Sequence, residues 1–578
     1  MVEVMVSRVA NSQLITKIII NIRDNRYKYA AFIMMLVMYG YIAYCVPYVH
    51  DDWIAGSSYG FEISLSGVCN GRYVANLLID VLVRIPILKT IFMASVFWLI
   101  PFEVSRLFYD TSDKRFLTKY LIVNLIFLLI NPSIWGETYG WLSGFCVFTV
   151  PALLTLYYLR MNRKLLTDDA VSSYKWYEYA GMFIYSAFVQ LFIEGATGAF
   201  LMMSGILLIY AIKRRRYILK AAIILLGSIV GLAVMLTSPM YWEVFEKGES
   251  VDKRGLSVDV QSSILTKLWD ALDDLVNNRI YDCLKYDIWI IGILCVYILI
   301  MKLWEFKKNR SISKRNIIFA STLCVAIGFR MSVLLLVFYV ILLSYLFRKS
   351  SETKEYTPLI KGIVYIIANQ FILLILYLSD NHLPFNITIH DLLTAYLYVV
   401  VYVYIYRRIE KSKRGILSFT ALFMMLQLLP LTIVIDSFAR LYYIPEVLKI
   451  CILSAFVDAE FDNVKAISGY VKHRYMYAIM CVVIMLAFSR LAVVMTNEHY
   501  IYMEWNRIIE QAKTINLDEI HVPRYPNTEY LYYDLVEYRY DNIQNMYNYY
   551  GIDYSVKFYY DQQLVYNGDP STFPETYY

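Results

Sequence analysis

The sequence predicts an all-α polytopic membrane protein, and three observations carry that expectation. Apolar runs of about 20 residues, long enough to cross a bilayer as a helix, recur along the whole chain. Hydrophobic residues fill 59% of the 578 positions and charged ones only 18%, giving a mean hydropathy of +0.48, far more apolar surface than a soluble fold of this length needs. The charges that remain gather at the ends of the runs. Lipid offers backbone groups no partner, so helices satisfy them, and the short alternating strands of a membrane barrel are missing. The expected form is a bundle of about 13–15 transmembrane helices with an amphipathic first external loop and a small extracytoplasmic C-terminal region.

Taken in order, Arg8, Lys17, Arg23, Arg26 and Lys28 make residues 1–28 a cytoplasmic N-terminus, and the first span follows over 29–49. No cleavable signal is expected, because the first apolar run serves as the anchor. Residues 50–89 form the first external loop. Glu62, Asn70, Arg72, Asp80, Arg84 and Lys89 interrupt its apolar positions, which fits helices lying along the outer leaflet better than a span. Spans at 90–108 and 116–130 lead to the external turn Asn131–Glu137, and a fourth span from Tyr139 ends at Arg160, Arg163 and Lys164. Residues 177–212 are too long for one crossing and are expected as two short helices with Glu194-Gly195 at their apex. The same reasoning folds 316–347 at Gly328-Phe329-Arg330. Between these hairpins, 238–286 reads as a long external loop with an amphipathic helix near Ile264–Leu275. Spans at 359–378 and 391–406, an outward run at 415–435, a short run at 443–457 and a full span at 475–495 complete a transmembrane region of 29–495. Residues 496–578 carry 17 of the 55 tyrosines and no apolar span. They are expected outside, as a small domain or a lid.

The net charge of +6 sits mostly at helix ends on one side, which reads as membrane topology and not as a nucleic-acid surface. The eight cysteines form no CxxC pair and lie mostly within apolar runs, so they read as small core residues. No phosphate-binding loop, dinucleotide fingerprint, HExxH or GxSxG stands in a suitable context.

The stretch His50-Asp51-Asp52-Trp53, where the first span surfaces, carries the strongest chemical signal. Two adjacent carboxylates repel each other, and placing them at a membrane mouth is costly. They are either a catalytic pair or a solvated helix end. With His50 they suggest a divalent cation, Mg or Mn, although adjacent side chains seldom converge on one ion. The sequence names no other cofactor.

A first external loop opening on paired acids directly after the first helix resembles the GT-C superfamily of membrane glycosyltransferases. The matching residues are Asp51 and Asp52, then Asn70-Gly71-Arg72-Tyr73. The turn Trp135-Gly136-Glu137-Thr138-Tyr139, the stretch Ser238-Pro239, and the segments Trp505-Asn506-Arg507 and His521-Val522-Pro523 are similar to a bacterial branch related to the glucosyltransferases that decorate O-antigen. In place of that branch's Pro-Gly-Asn, this chain has Pro239-Met240-Tyr241.

The resemblance implies a GT-C-like bundle in the cytoplasmic (plasma) membrane, with the active site facing outside. It implies a polyprenyl-phosphate-sugar donor and a cell-surface glycan or lipid-linked acceptor. Asp51 or Asp52 is then the general base of an inverting transfer, its pKa raised by its neighbour. Arg72, Arg330 and Arg440 are expected to meet donor phosphate through their forked guanidinium, with Glu137 and Glu194 at substrate. Structural roles stand beside these: Arg72 neutralising the acid pair, Glu137 and Glu194 as turn acids, and Arg440 as a headgroup anchor. Two rivals remain open. An O-antigen-type polymerase or ligase would rely on external arginines. A transporter or flippase of lipid-linked sugars would show internal repeats and mid-membrane charge.

Overall fold

The computed structural model describes residues 25–568 except 69, 114, 168–172, 248–263, 287, 310–313, 355, 379–388, 434–437, 469–472, 532–539, 561 and 567. The chain is almost wholly helical. Helix α1 spans Arg26–Cys45, followed by the short α2 (Asp51–Gly56) and α3 (Gly60–Ser66) and by α4 (Tyr73–Arg84). Phe61 and Leu65 on α3, Val68 just after it and Val81 on α4 are exposed. Proline opens α5 (Pro86–Arg106), fitting the first turn, where its missing N–H is no loss. Helix α6 (Arg115–Leu128) is followed after a bend of 88° by α7 (Pro132–Thr138), which Asn131 caps by accepting the Ser133 N–H. Helix α8 (Leu142–Met161) contains one π-helical stretch at Phe145–Thr149.

The two predicted hairpin apices are present. Helix α9 (Trp176–Phe188) gives way to α10 at Glu194, and α10 runs on to Arg214. Helices α11 (Ile218–Met235), α12 (Pro239–Lys247), α13 (Ile264–Asp274) and α14 (Ile288–Asn309) come next, and then α15 (Lys314–Arg330) breaks from α16 (Ser332–Thr353) at Met331. Helices α17 (Thr357–Leu378), α18 (Ile389–Arg408) and α19 (Arg414–Leu428) lead to α20 (Tyr443–Ser468) and α21 (His473–Ile515). The last two correct the sequence reading. The run expected at 443–457 is a 26-residue helix, and the span expected to end at 495 continues to Ile515 in one 43-residue helix.

Eight helices are long and apolar enough to cross a membrane, or ten if each bent pair is one span, among the described residues. That is fewer than the 13–15 expected. The tyrosine-rich α18 and the charged α20 are long enough to cross but less apolar than the rest, and α6 with α7 forms one bent unit. Seven described cysteines are free, six of them buried, in line with core residues.

Helix α1 packs on α5 and on α21. Tyr41 bonds Thr496, and Tyr44 meets His499 further along both helices, so α1 and α21 run parallel. The tail therefore emerges at the same end as the acid pair. It forms a sheet in which β1 (Glu519–Val522) pairs parallel with β2 (Lys557–Tyr560), and β2 pairs antiparallel with β3 (Gln563–Tyr566). Helix α22 (Tyr540–Tyr550) packs on α2. Tyr525, Tyr547, Tyr560 and Tyr566 are buried around Trp505, so several of the tail's tyrosines form its core.

The opposite end is knitted by ion pairs. Glu103 meets Arg160 at 3.2 Å, Asp110 meets Arg163 at 2.9 Å, Lys119 meets Asp458 at 2.5 Å and Glu460 meets Arg408 at 3.4 Å. Charge that must sit between packed helices is held in pairs there, which limits its desolvation cost.

Candidate functional site

After α1 the chain runs extended from Val46 and turns sharply at His50, whose φ of 55° and ψ of −122° are unfavourable for a side chain with a Cβ. Such backbone costs on the order of 1–3 kcal/mol and persists only where the surroundings hold it. Asp52 supplies that hold. Its Oδ2 accepts the Val49 N–H at 3.1 Å, and its Oδ1 accepts both the N–H and the hydroxyl of Ser143. Ser143 lies in the first turn of α8, where unpaired N–H groups favour a carboxylate. Asp52 is fully buried, and burial pushes its pKa up to about 7 against the pull of these hydrogen bonds. Buried Lys89 donates to the Val46 carbonyl at 2.5 Å and lies within electrostatic reach of Asp52.

The two acids are therefore not equivalent. Asp52, expected as a possible catalytic partner, is turned inward and ties the first loop to α8. Asp51 has a carboxylate 49% exposed, paired with His50 Nδ1 at 2.7 Å. The His50 ring meets Trp141 edge-on, with centroids 5.6 Å apart.

Trp141 links this pair to a second one. The Arg440 guanidinium lies 5.6 Å from the Trp141 ring and 4.1 Å from that of Phe438. Glu137 on α7 accepts the Arg440 backbone N–H at 2.9 Å, with the guanidinium 3.9 Å away. Neither α7 nor the Arg440 segment neighbours the acid pair in sequence.

A third pair borders Asp51. At Gly71 a Cβ would sit 2.3 Å from the Met235 carbonyl, so glycine lets the loop press on the end of α11. Arg72 then reaches Glu194, the first residue of α10, through Nε at 3.0 and 2.9 Å and Nη2 at 2.8 Å. Burial opposes the Arg72 charge, but Glu194 outweighs it and Asp51 adds to the same side, leaving the guanidinium pKa raised. Tyr241 donates to Glu194 at 2.7 Å and accepts the Gly71 N–H at 3.2 Å. Tyr241, in the Pro239-Met240-Tyr241 stretch, thus holds the arginine–glutamate pair in place.

Of the residues expected at the site, Asp51, Arg72, Glu137, Glu194 and Arg440 thus gather around the His50 turn, with Asp52 behind it. Arg330 closes α15, and its side chain lies outside the described residues. The divalent-cation reading does not fit: both Asp52 oxygens point into the protein, and no group of three or more His, Cys, Asp or Glu side chains converges among the described residues. Sequence reasoning missed Ser143, Trp141, Tyr241 and Lys89. Trp141 and Ser143 follow directly on the Trp135–Tyr139 motif, which was the available signal.

The tail covers this region from the side. Asn548 donates to the Tyr59 hydroxyl at 2.6 Å, and a Cβ at Gly56 would meet the Tyr549 ring at 2.4 Å. Burial, with Tyr502 and then Asp52 adding to it, raises the Tyr549 pKa. No protein-family model, curated protein or solved structure matches the chain.

Proposed function

We propose that this protein is a membrane glycosyltransferase that moves a sugar from a polyprenyl-phosphate donor to a cell-surface glycan or lipid-linked acceptor at the outer face of the cytoplasmic membrane. One observation supports it above others: of two adjacent acids, one is locked into the scaffold and the other stands half-exposed beside a histidine and between two arginine–glutamate pairs. That is an arrangement suited to one base and nearby positive charge. Asp51 takes the proton of the acceptor hydroxyl as its oxygen attacks the anomeric carbon. The bond from that carbon to phosphate breaks with inversion, and the electron pair leaves on the phosphate. Arg440 and Arg72 balance the charge that develops there. His50 orients the Asp51 carboxylate, and Asp52 is a positioning residue.

The test compares Asp51→Asn and Asp51→Glu in a host whose surface glycan is analysed intact, with each variant present in the membrane at normal level. Loss of a glycan modification in the first, with part recovered in the second, is expected. Removing a general base typically costs about 10²–10⁴ in rate. Retention of the modification in Asp51→Asn, with loss in Arg440→Gln, overturns the base assignment in favour of an arginine-dependent polymerase or ligase.

A further inference from the structure

Helix α13 runs on through a π-helical stretch at Leu275–Arg279 to a last turn at Ile280–Leu284, and this piece meets α14 at 77°. Helix α14 has 22 residues, enough to cross a bilayer, which takes about 20. A segment at 77° to it lies nearly in the bilayer plane. It belongs to the acid-pair end: Asp282 accepts the hydroxyl of Tyr442, two residues from Arg440, at 3.1 Å, and Lys449 donates to the Cys283 carbonyl at 2.5 Å.

Around its axis α13 has three different sides. The first is covered by the protein. There Ala271 is partly buried, Leu275 packs on Leu428, Leu431 and Tyr442, and Asp274 holds Arg279 at 2.7 Å. About a third of a turn round, at ~3.6 residues per turn, stand Leu265, Leu268, Trp269 and Leu272, each between 56% and 79% exposed. About another third of a turn on are the exposed polar side chains of Thr266 and Asp270. A helix lodged between protein and water alone turns its apolar stripe toward the protein. This one turns it elsewhere, so a third medium is needed.

We infer that α13 docks on the bilayer surface at the acid-pair end, with Leu265, Leu268, Trp269 and Leu272 sunk among the acyl chains and Thr266 and Asp270 in water. Two features select lipid over a second copy or another protein. The helix axis lies in the plane that a leaflet offers. Beyond the bend, exposed apolar side chains continue as Trp289 and Ile293 on α14, both 57% exposed. The stripe itself carries no cation, so the contact is with apolar chains and needs no anionic headgroup. Because Asp282 ties this segment to Tyr442, the leaflet helps set the height of the Arg440 segment. The docking does not rest on the function proposed above.

The experiment uses the full chain in nanodiscs of phosphatidylcholine alone, with a nitroxide label on Thr266→Cys, Leu268→Cys, Asp270→Cys or Leu272→Cys in turn. Six of the seven described native cysteines are buried, and the wild-type chain treated in the same way supplies the background. Power saturation compares access of oxygen, which concentrates in acyl chains, with access of a water-soluble nickel chelate. Labels at 268 and 272 are expected to favour oxygen and labels at 266 and 270 to favour nickel, with the ratio differing several-fold between the two pairs. Adding Leu268→Asp to Leu272→Cys should lower the oxygen preference at 272. Nickel preference at all four positions overturns the docking, since the stripe then faces water. Shielding of 268 and 272 from both reagents also overturns it, and spin–spin broadening would then identify a second copy as the occupant. Oxygen preference that appears only when phosphatidylglycerol is added overturns the apolar mode of contact in favour of headgroup attraction.

Discussion

Asp52 offers a prediction whose sign changes with pH. In the unfolded chain its carboxyl titrates near 3.8, and in the fold burial moves it to about 7, a rise of about 3 units. At ~1.4 kcal/mol per unit this is about 4 kcal/mol. Because the folded state holds the proton more tightly, the native protein binds more protons than the unfolded chain between these values, and stability falls with rising pH. The contribution is fully present below pH 3.8 and lost as pH passes 7. Asp52→Asn removes this titration. Its amide nitrogen cannot accept the Val49 N–H, and that unsatisfied donor costs about 1–3 kcal/mol at every pH. The variant should therefore be less stable than wild type by about 1–3 kcal/mol near pH 4.5 and more stable by a similar amount near pH 8. Apparent unfolding midpoints of both proteins in one detergent, followed by fluorescence-detected gel filtration across that range, give the difference curve. A difference that does not vary with pH would refute the reasoning, since it would mean that the Asp52 carboxylate is solvated.

Two further outcomes follow from the geometry. The Arg72–Glu194 pair is forked and partly buried, with side chains 21% and 33% exposed, so Arg72→Met or Glu194→Leu alone should destabilise more than the two together. A double-mutant cycle on unfolding midpoints should return a coupling of about 1–3 kcal/mol, and a value near zero would remove the pair from the scaffold. At Gly140 a Cβ would sit 2.0 Å from the Tyr530 carbonyl, so Gly140→Ala should weaken docking of the tail on α7 by about 1–3 kcal/mol. Limited trypsin digestion around Arg524 should then run faster than in wild type, and an unchanged rate would mean that the tail is held elsewhere.

Much of the architecture was legible because it rests on local rules. Apolar runs, basic flanks and charged interruptions placed the first loop, both hairpin apices and the amphipathic helix at Ile264–Asp274 without tertiary information. The same rules misjudged α20 and α21. The apolar run at 443–457 stops just before Asp458 and Glu460, which, paired with Lys119 and Arg408, are tolerated inside the helix. Beyond Met495, α21 continues because Trp505 finds a buried place in the tail. An apolar count cannot register a polar helix that is stabilised by what packs against it.

The site divides in the same way. The sequence by itself determined that two carboxylates stand where α1 surfaces, and that Arg72, Glu137, Glu194 and Arg440 lie near turns at one end. Only the tertiary structure decided which carboxylate is available. Asp51 and Asp52 are chemically identical neighbours. The difference between them comes from Ser143, 91 residues away in sequence, whose N–H and hydroxyl both point at Asp52. The tertiary fold likewise brought Arg440 to Glu137, 303 residues away, and put Tyr241 against Glu194, 47 residues away, because such contacts depend on how helices pack and leave no periodicity in the chain to read.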